Sequence, residues 1–259
     1  MVCRKLFSTL REMDCIRGFI PGQMGNDYFQ FKQFTVRHDR CAFKVGTDGV
    51  LLGAIADIRG RRDILDVGTG SGLVALMLAQ RCDAEIAAIE PHMDSYRQAG
   101  GNIAESPWAG RIRVVNCSLQ DFNPGEIRFD LIVSNPPFFI ASLKNPDPVK
   151  SLSRHNDTLT HKDLLEGSVR LLTGEGILQV IMPVAEGRKF VEMAPDYELY
   201  CCRIIHVSPT PSSGPKRMVM AFSRRKSEVS ESNLTIETGI RHEYTPEFVE
   251  LIREFYLKF

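Results

Sequence analysis

The run Ile64-Leu65-Asp66-Val67-Gly68-Thr69-Gly70-Ser71-Gly72 passes from a short apolar strand into alternate glycines, and Leu73–Gln80 behind it has helical apolar spacing. Glycine lets the backbone turn tightly and approach a ligand closely, and the first turn of a helix offers N–H groups that lack intrahelical partners. A strand, a glycine loop and a helix in this order fit an open α/β sheet, whose ligands sit at the carboxyl ends of the strands. Gly-x-Gly-x-Gly alone also fits a plain turn or a nucleotide-dependent dehydrogenase. Glu90 follows the next strand, Glu85–Ile89, and an acid there suits a ribose diol.

Working outward, the pattern predicts a helix over His92–Ala104, strands over Ile112–Asn116 and Leu131–Ser134, and a helix over Lys162–Leu172 closed by Gly174. A strand over Gly176–Met182 and a helix over Ala185–Met193 follow. Leu199–Val207 and Met218–Ser223 are joined by the Pro/Ser/Gly-rich loop Ser208–Lys216 without a helix, so they should be antiparallel. Alternation of this kind predicts a seven-stranded, mostly parallel sheet with an antiparallel last strand and helices on both faces. Upstream, Tyr28–Val36 alternates apolar and polar residues as a strand does, and Asp48–Ile58 reads as a helix with Thr47 as its N-cap. Downstream, Leu234–Glu237 suits an extra edge strand and Pro246–Leu257 a terminal helix. Pro21-Gly22 breaks the chain before Met24, which reads as the natural start. The expected division is a disordered extension over 1–24, a strand-and-helix cover over 25–60, the α/β domain over 61–226, and a C-terminal strand and helix over 227–259.

Of the 259 residues, 43% are hydrophobic, enough for one sizeable core. Lys+Arg and Asp+Glu are both 32, so any nucleic-acid contact must come from a local basic patch. No apolar run reaches the roughly 18–20 residues of a membrane span. The first 23 residues have scattered apolar positions and lack a secretory core segment. The seven cysteines are odd in number and form no Cys-x-x-Cys pair. They predict buried thiols in a reducing cytoplasm, with neither a disulfide framework nor a metal site.

The second informative stretch is Asn135-Pro136-Pro137-Phe138, directly after the strand Asp130-Leu131-Ile132-Val133-Ser134. Asn-Pro-Pro is also an ordinary turn sequence. At the end of a strand beside the glycine loop it fits a particular reaction. An exocyclic amine conjugated to a ring or carbonyl is a poor nucleophile, because its lone pair is delocalised. The Asn135 side-chain oxygen and the Pro136 carbonyl can accept both N–H hydrogens and aim the lone pair outward. Prolines fix the backbone and remove competing donors. Phe138 offers a flat face for a base, worth roughly 1–3 kcal/mol. Positioning carries most of the work, and no strong base is required.

With Asp66 ahead of Gly68, Gly70 and Gly72, the first stretch resembles motif I of the class I methyltransferases, a Rossmann-like fold. The resemblance implies S-adenosyl-L-methionine as cofactor, with the loop along its methionine part and Glu90 on both ribose hydroxyls. It places the cofactor's adenine end just after the third strand, commonly against an aspartate. Here the segment reads Cys117-Ser118-Leu119-Gln120-Asp121-Phe122, with Ser118 in the acid's place, Leu119 beside it and Asp121 a turn later. The side chain that meets the adenine amine stays open between them. Asn135 falls at both substrate and cofactor.

The tetrapeptide occurs in adenine-N6, guanine-N2 rRNA and glutamine-N5 protein methyltransferases, and does not separate them. Phe31-Lys32-Gln33-Phe34-Thr35-Val36, His38-Asp39, the run from Phe43 through Lys44-Val45-Gly46-Thr47-Asp48-Gly49-Val50 to Ala54, and Pro215-Lys216-Arg217-Met218 resemble the bacterial valine-tRNA adenine-N6 methyltransferase family. That resemblance spans residues 28–225 and implies tRNA as partner, methylated on the adenine 3′ of the anticodon. It also implies that Lys44 and Thr47 cover the cofactor. Taken alone, Thr47 and Asp48 equally suit a helix start and Lys44 a solvated position. The stretch from Met24 to Asp63 leaves no room for the helical domain of the release-factor enzymes. A non-catalytic nucleic-acid-binding module remains a third class. Basic residues group as Arg37/His38/Arg40/Lys44, Arg59/Arg61/Arg62, Lys216/Arg217 and Arg224/Arg225/Lys226; the first and third groups should flank the site and hold tRNA phosphates. Phe139–Thr160, with Arg154 and His155, reads as a mobile substrate loop that leads to Lys162.

Overall fold

A computed structural model describes residues 26–41, 44–137 and 159–259. The readings of residues 1–24 as an extension, of Phe43, of Phe138 and of the loop carrying Arg154 and His155 lie outside the described residues.

The centre is an eight-stranded sheet. In chain order its strands are β3 (Asp63–Val67), β4 (Glu85–Ile89), β5 (Ile112–Val115), β6 (Phe129–Ser134), β7 (Leu172–Pro183), β8 (Tyr200–Ser208), β9 (Arg217–Ser223) and β10 (Ser230–Thr235). In space they run β10-β8-β9-β7-β6-β3-β4-β5. β9 is antiparallel to both neighbours, β7 and β8, and every other pairing is parallel. β10 adds an eighth strand to the seven expected, beside β8.

Strand residues alternate between two cores, as a period of two requires. Leu131, Val133, Ile181 and Val219 join one cluster, with the helices α1 (Thr47–Ile55) and α2 (Leu73–Arg81). Ile132, Leu178, Val180 and Met220 join the other, with α4 (His161–Leu171) and α5 (Val184–Met193). Both faces are covered, so these strands read as nearly continuous apolar runs. α3 (Met93–Ala104) links β4 to β5, and α6 (Pro246–Ile252) ends the regular structure five residues short of the expected Leu257.

Four readings change locally. Tyr28–Val36 is not one strand but the hairpin β1 (Tyr28–Gln30) and β2 (Thr35–Arg37). Its turn, closed by the Phe31 N–H donating to the Phe34 carbonyl at 2.8 Å, brings Phe31 and Phe34 together as stacked rings 4.5 Å apart. Both rings are buried, which simple alternation along one strand cannot provide. Thr47 is the first residue of α1, and the N-cap is Gly46 in extended backbone. α4 ends on an extended Leu172, not at Gly174. β7 starts at Leu172, and its register jumps from Phe129↔Leu172 to Leu131↔Ile177. The bulge folds back over Gly176, where a Cβ would lie 2.8 Å from the Phe129 carbonyl oxygen. The five described cysteines are free and only half-buried, not fully buried as expected.

α1 lies close on α2, and this sets the roof of the site. A Cβ on Gly53 would stand 2.8 Å from Met77 Cβ, and one on Gly49 2.9 Å from Leu73 Cδ2. Leu73 follows the glycine loop directly, so the start of α1 is carried over that loop.

Candidate active site

The carboxyl ends of β3, β4, β5 and β6 bring the predicted residues to one edge of the sheet. The Ile89 carbonyl accepts from the N–H groups of Gly68 (3.0 Å) and Thr69 (3.1 Å), which folds the loop over the end of β4. Gly68, Gly70 and Gly72 have φ of +72°, +57° and +83°, a region that favours glycine. A Cβ on Gly68 or Gly70 would meet nothing within 4 Å, so both Cα atoms face open space.

Glu90 is 5% exposed. Its Oε2 accepts from the Gly70 N–H at 2.9 Å and its Oε1 from the His92 N–H at 3.0 Å. Each carboxylate oxygen keeps a further lone pair, enough to receive two vicinal hydroxyls. Asn116 donates through Nδ2 to the Glu90 carbonyl (2.8 Å) and the Pro91 carbonyl (3.0 Å), locking the chain after the acid.

Asp66 is 1% exposed and accepts from the Thr69 hydroxyl at 2.6 Å. Burial pushes its carboxyl up to about 7, against the hydrogen bonds from Thr69 and the Ala75 N–H, while the charge of Glu90 adds to the rise. Between the ordinary 3.8 and about 7 the folded chain therefore holds a proton that the unfolded chain releases. Folding stability should fall as pH rises through that window. In denaturation at pH 5 and pH 8 the wild type should lose more stability on going to pH 8 than Asp66→Asn does; equal losses would contradict the assignment. A cation approaching this carboxyl would ionise it.

The Ser134 hydroxyl donates to the Val67 carbonyl at 2.9 Å and ties the ends of β6 and β3 together. Val67 pairs with Ser134 in register, so Asn135 lies beside Gly68. Pro136 is buried, Pro137 is exposed and Asn135 is half-buried. The Asn135 side chain makes no hydrogen bond within the described residues, which leaves its oxygen for a ligand.

At the end of β5, the Ser118 hydroxyl donates to Asp121 Oδ2 at 2.6 Å and accepts from the Asp121 N–H at 3.2 Å. The two candidates for the adenine end thus form one unit. The Leu119 side chain turns the other way, into the core beneath α4, where a Cβ on Gly167 would lie 2.6 Å from it. Only its backbone remains for the site.

Lys44 and Thr47 are exposed at the start of α1. Asp48, next to them, accepts from Arg217 Nε at 2.8 Å, joining the cover to the first residue of β9. Sequence reading missed this pair, although its opposite charges stood in two of the motifs that carried the resemblance. It also missed the Thr69 hydroxyl on Asp66, and Asn116 and Ser134, whose partners lie on other strand ends. Of the basic groups, the third opens β9 at this edge, where Arg217 pairs with Pro183 at the end of β7. His38, however, is buried and bonded to the Asn26 carbonyl (2.8 Å), and Arg217 is held by Asp48; Arg37, Arg40, Lys44 and Lys216 are exposed, with Glu105 3.9 Å from Arg37 and Asp39 3.8 Å from Arg40. Arg59–Arg62 precede β3 and Arg224–Lys226 follow β9, both at the opposite edge. A cleft lined by Tyr96, Arg111 and Arg113 contains none of the site residues. Among the described residues no group of three or more His, Cys, Asp or Glu converges as metal ligands do.

A family model described as the methyltransferase small domain matches residues 45–191. A tRNA1(Val) (adenine(37)-N6)-methyltransferase of Parabacteroides distasonis is 49% identical over 237 residues, covering 91% of this chain and 100% of that protein. One of Trichodesmium erythraeum is 46% identical over 240 residues, with the same 91% and 100% coverage. Among solved structures, a predicted O-methyltransferase of Agrobacterium tumefaciens has a TM-score of 0.55 at 20% identity, covering 80% of this chain and 96% of that one. The CcbJ methyltransferase of Streptomyces caelestis has a TM-score of 0.53 at 13% identity, covering 72% and 95%. At such identities these structures share the fold alone.

Proposed function

The chain belongs to the tRNA1(Val) (adenine(37)-N6)-methyltransferase family, and from that premise we propose that it transfers a methyl group from S-adenosyl-L-methionine to N6 of adenine 37 in a valine tRNA. The observation that carries the chemistry is the free Asn135 side chain at the end of β6, beside the glycine loop that follows β3, with Glu90 one strand further at the end of β4.

The residues present fit the cofactor. Gly68 and Gly70 leave space where side chains would stand, Glu90 offers two acceptors to a diol, and Asp66 is a buried acid that a cation would ionise. When bound, the cofactor supplies an electrophilic methyl group on a sulfonium. Asp66, Gly68, Gly70, Gly72 and Glu90 hold it, with Ser118 and the Leu119 backbone at its adenine end and Lys44 and Thr47 above. Asn135 and the Pro136 carbonyl accept the two N–H hydrogens of the adenine amine and set its lone pair toward the methyl. Pro137 stiffens that turn. A base in an anticodon loop must be turned outward to reach this pocket. Arg37, Arg40, Lys44 and Lys216 receive the flanking phosphates. The tRNA substrate places the work in the cytoplasm. No helix among the described residues is long and apolar enough to cross a membrane.

Incubated with methyl-labelled cofactor, the protein should label total tRNA and leave total protein unlabelled. Label confined to protein would instead mark a glutamine amide as the acceptor, and label in neither would mark a binding module without transfer.

A further inference from the structure

α3 carries three buried polar side chains on the face turned toward β2 and the glycine loop: Ser95, Gln98 and Asn102. Buried polar groups are costly unless they are hydrogen-bonded. Here the partners all lie in two segments. Asn102, 2% exposed, accepts from the Arg37 N–H through Oδ1 at 2.9 Å. Its Nδ2 donates to the Arg37 carbonyl at 2.8 Å and to the Ser71 carbonyl at 2.8 Å. One carboxamide thus pairs with both backbone groups of Arg37, as a neighbouring strand would, and spends its remaining donor on the glycine loop. Gln98, 8% exposed and one helical turn earlier, accepts from the Arg40 N–H at 3.0 Å. Ser95 lies near Cys41, the last residue of the same segment. Beside them, His38 joins the Asn26 carbonyl through Nε2 at 2.8 Å and accepts from the Val45 N–H through Nδ1 at 3.4 Å, so its ring ties the far side of the same segment.

We infer that Asn102, with Gln98 beside it, is a positioning residue for cofactor binding: it presets the segment Arg37–Cys41 against the glycine loop before the cofactor arrives. The inference rests on the reading that this loop, Glu90 and the cover at Lys44 and Thr47 hold S-adenosylmethionine. A segment that is already ordered needs no further ordering on binding, so affinity rises without a new contact to the ligand. The Ser71 carbonyl fixes where the loop turns, and Arg37–Cys41 fixes where the cover begins. Asn102 touches neither substrate nor cofactor in this role. Its effect should appear in the KM for cofactor and not in kcat.

The test compares wild type, Asn102→Ala, Asn102→Asp and Gln98→Ala, with the Kd for S-adenosylhomocysteine by calorimetry and separate KM values for cofactor and tRNA. Asn102→Asp keeps the acceptor for the Arg37 N–H but sets oxygen against the Arg37 and Ser71 carbonyls. Both Asn102 variants should raise the cofactor Kd and KM on the order of 10-fold, with kcat at saturating cofactor and KM for tRNA within about twofold of wild type. Gln98→Ala should shift the same constants less, and it carries the test alone if the Asn102 variants do not fold. Wild-type cofactor affinity in folded variants with a lowered Tm would overturn the inference, leaving α3 a plain structural staple. Failure of the wild type itself to bind the cofactor would instead overturn the reading beneath it.

Discussion

Asn135→Ala is expected to lower kcat for tRNA methylation by about 10²- to 10³-fold, the range seen when one preorganised polar group is removed from an active site. The Kd for S-adenosylhomocysteine should change by no more than about twofold, since an interaction made mainly with the acceptor amine in the transition state appears in kcat. The reasons are geometric. The Ser134 hydroxyl pins β6 to the Val67 carbonyl, so the residue after it is fixed beside the glycine loop. The Asn135 side chain has no partner among the described residues and is not needed to hold the turn, which the two prolines hold. Asn135→Asp keeps an acceptor at the same place and should retain more activity than the alanine variant. Single-turnover methylation with saturating cofactor reads both. An equal loss of cofactor affinity in Asn135→Ala would show that Asn135 serves the cofactor and not the substrate.

Glu90→Ala should produce the opposite pattern. Two charge-assisted hydrogen bonds to a diol contribute about 1.5–3 kcal/mol each, so the Kd for S-adenosylhomocysteine should rise on the order of 10²- to 10⁴-fold. The same carboxylate also receives the N–H groups of Gly70 and His92, so its loss loosens the loop and the start of α3 together. Glu90→Gln keeps one acceptor but turns an amide N–H₂ toward one of those N–H donors, and should fall between the alanine variant and wild type. The kcat at saturating cofactor should drop far less than the affinity. Calorimetric titration is the measurement, and an unchanged Kd in Glu90→Ala would remove Glu90 from the cofactor site.

The parts of this architecture that the sequence made legible are those written in local pattern. β4 has the bounds read from its apolar run, and α2 differs by one residue. The glycine loop and Asn135 were legible because few residue types suit a turn with positive φ or a donor-free strand end. The hairpin β1–β2 was not, because Phe29/Phe31 and Phe34/Val36 each alternate, and only the change of phase between Phe31 and Phe34 marks the turn. The bulge in β7 was hidden because Gly174 is as good a helix stop as a bulge residue, and only the register with Phe129 decides. Side-chain bridges were least legible. Asn102 meets Arg37 across 65 positions and Arg217 meets Asp48 across 169, and no periodicity links such pairs. Buried polar residues on a helix look, in sequence, like a solvated face. Gln98 and Asn102 therefore carry no signal of their own in the sequence.

The central claim, transfer to N6 of adenine 37 in valine tRNA, is tested most directly by nucleoside mass spectrometry of that tRNA from a strain lacking this protein. N6-methyladenosine should be missing at position 37, return when the wild-type protein is supplied, and stay missing when Asn135→Ala is supplied. A valine tRNA that keeps its N6-methyladenosine in the deletion strain would contradict the account.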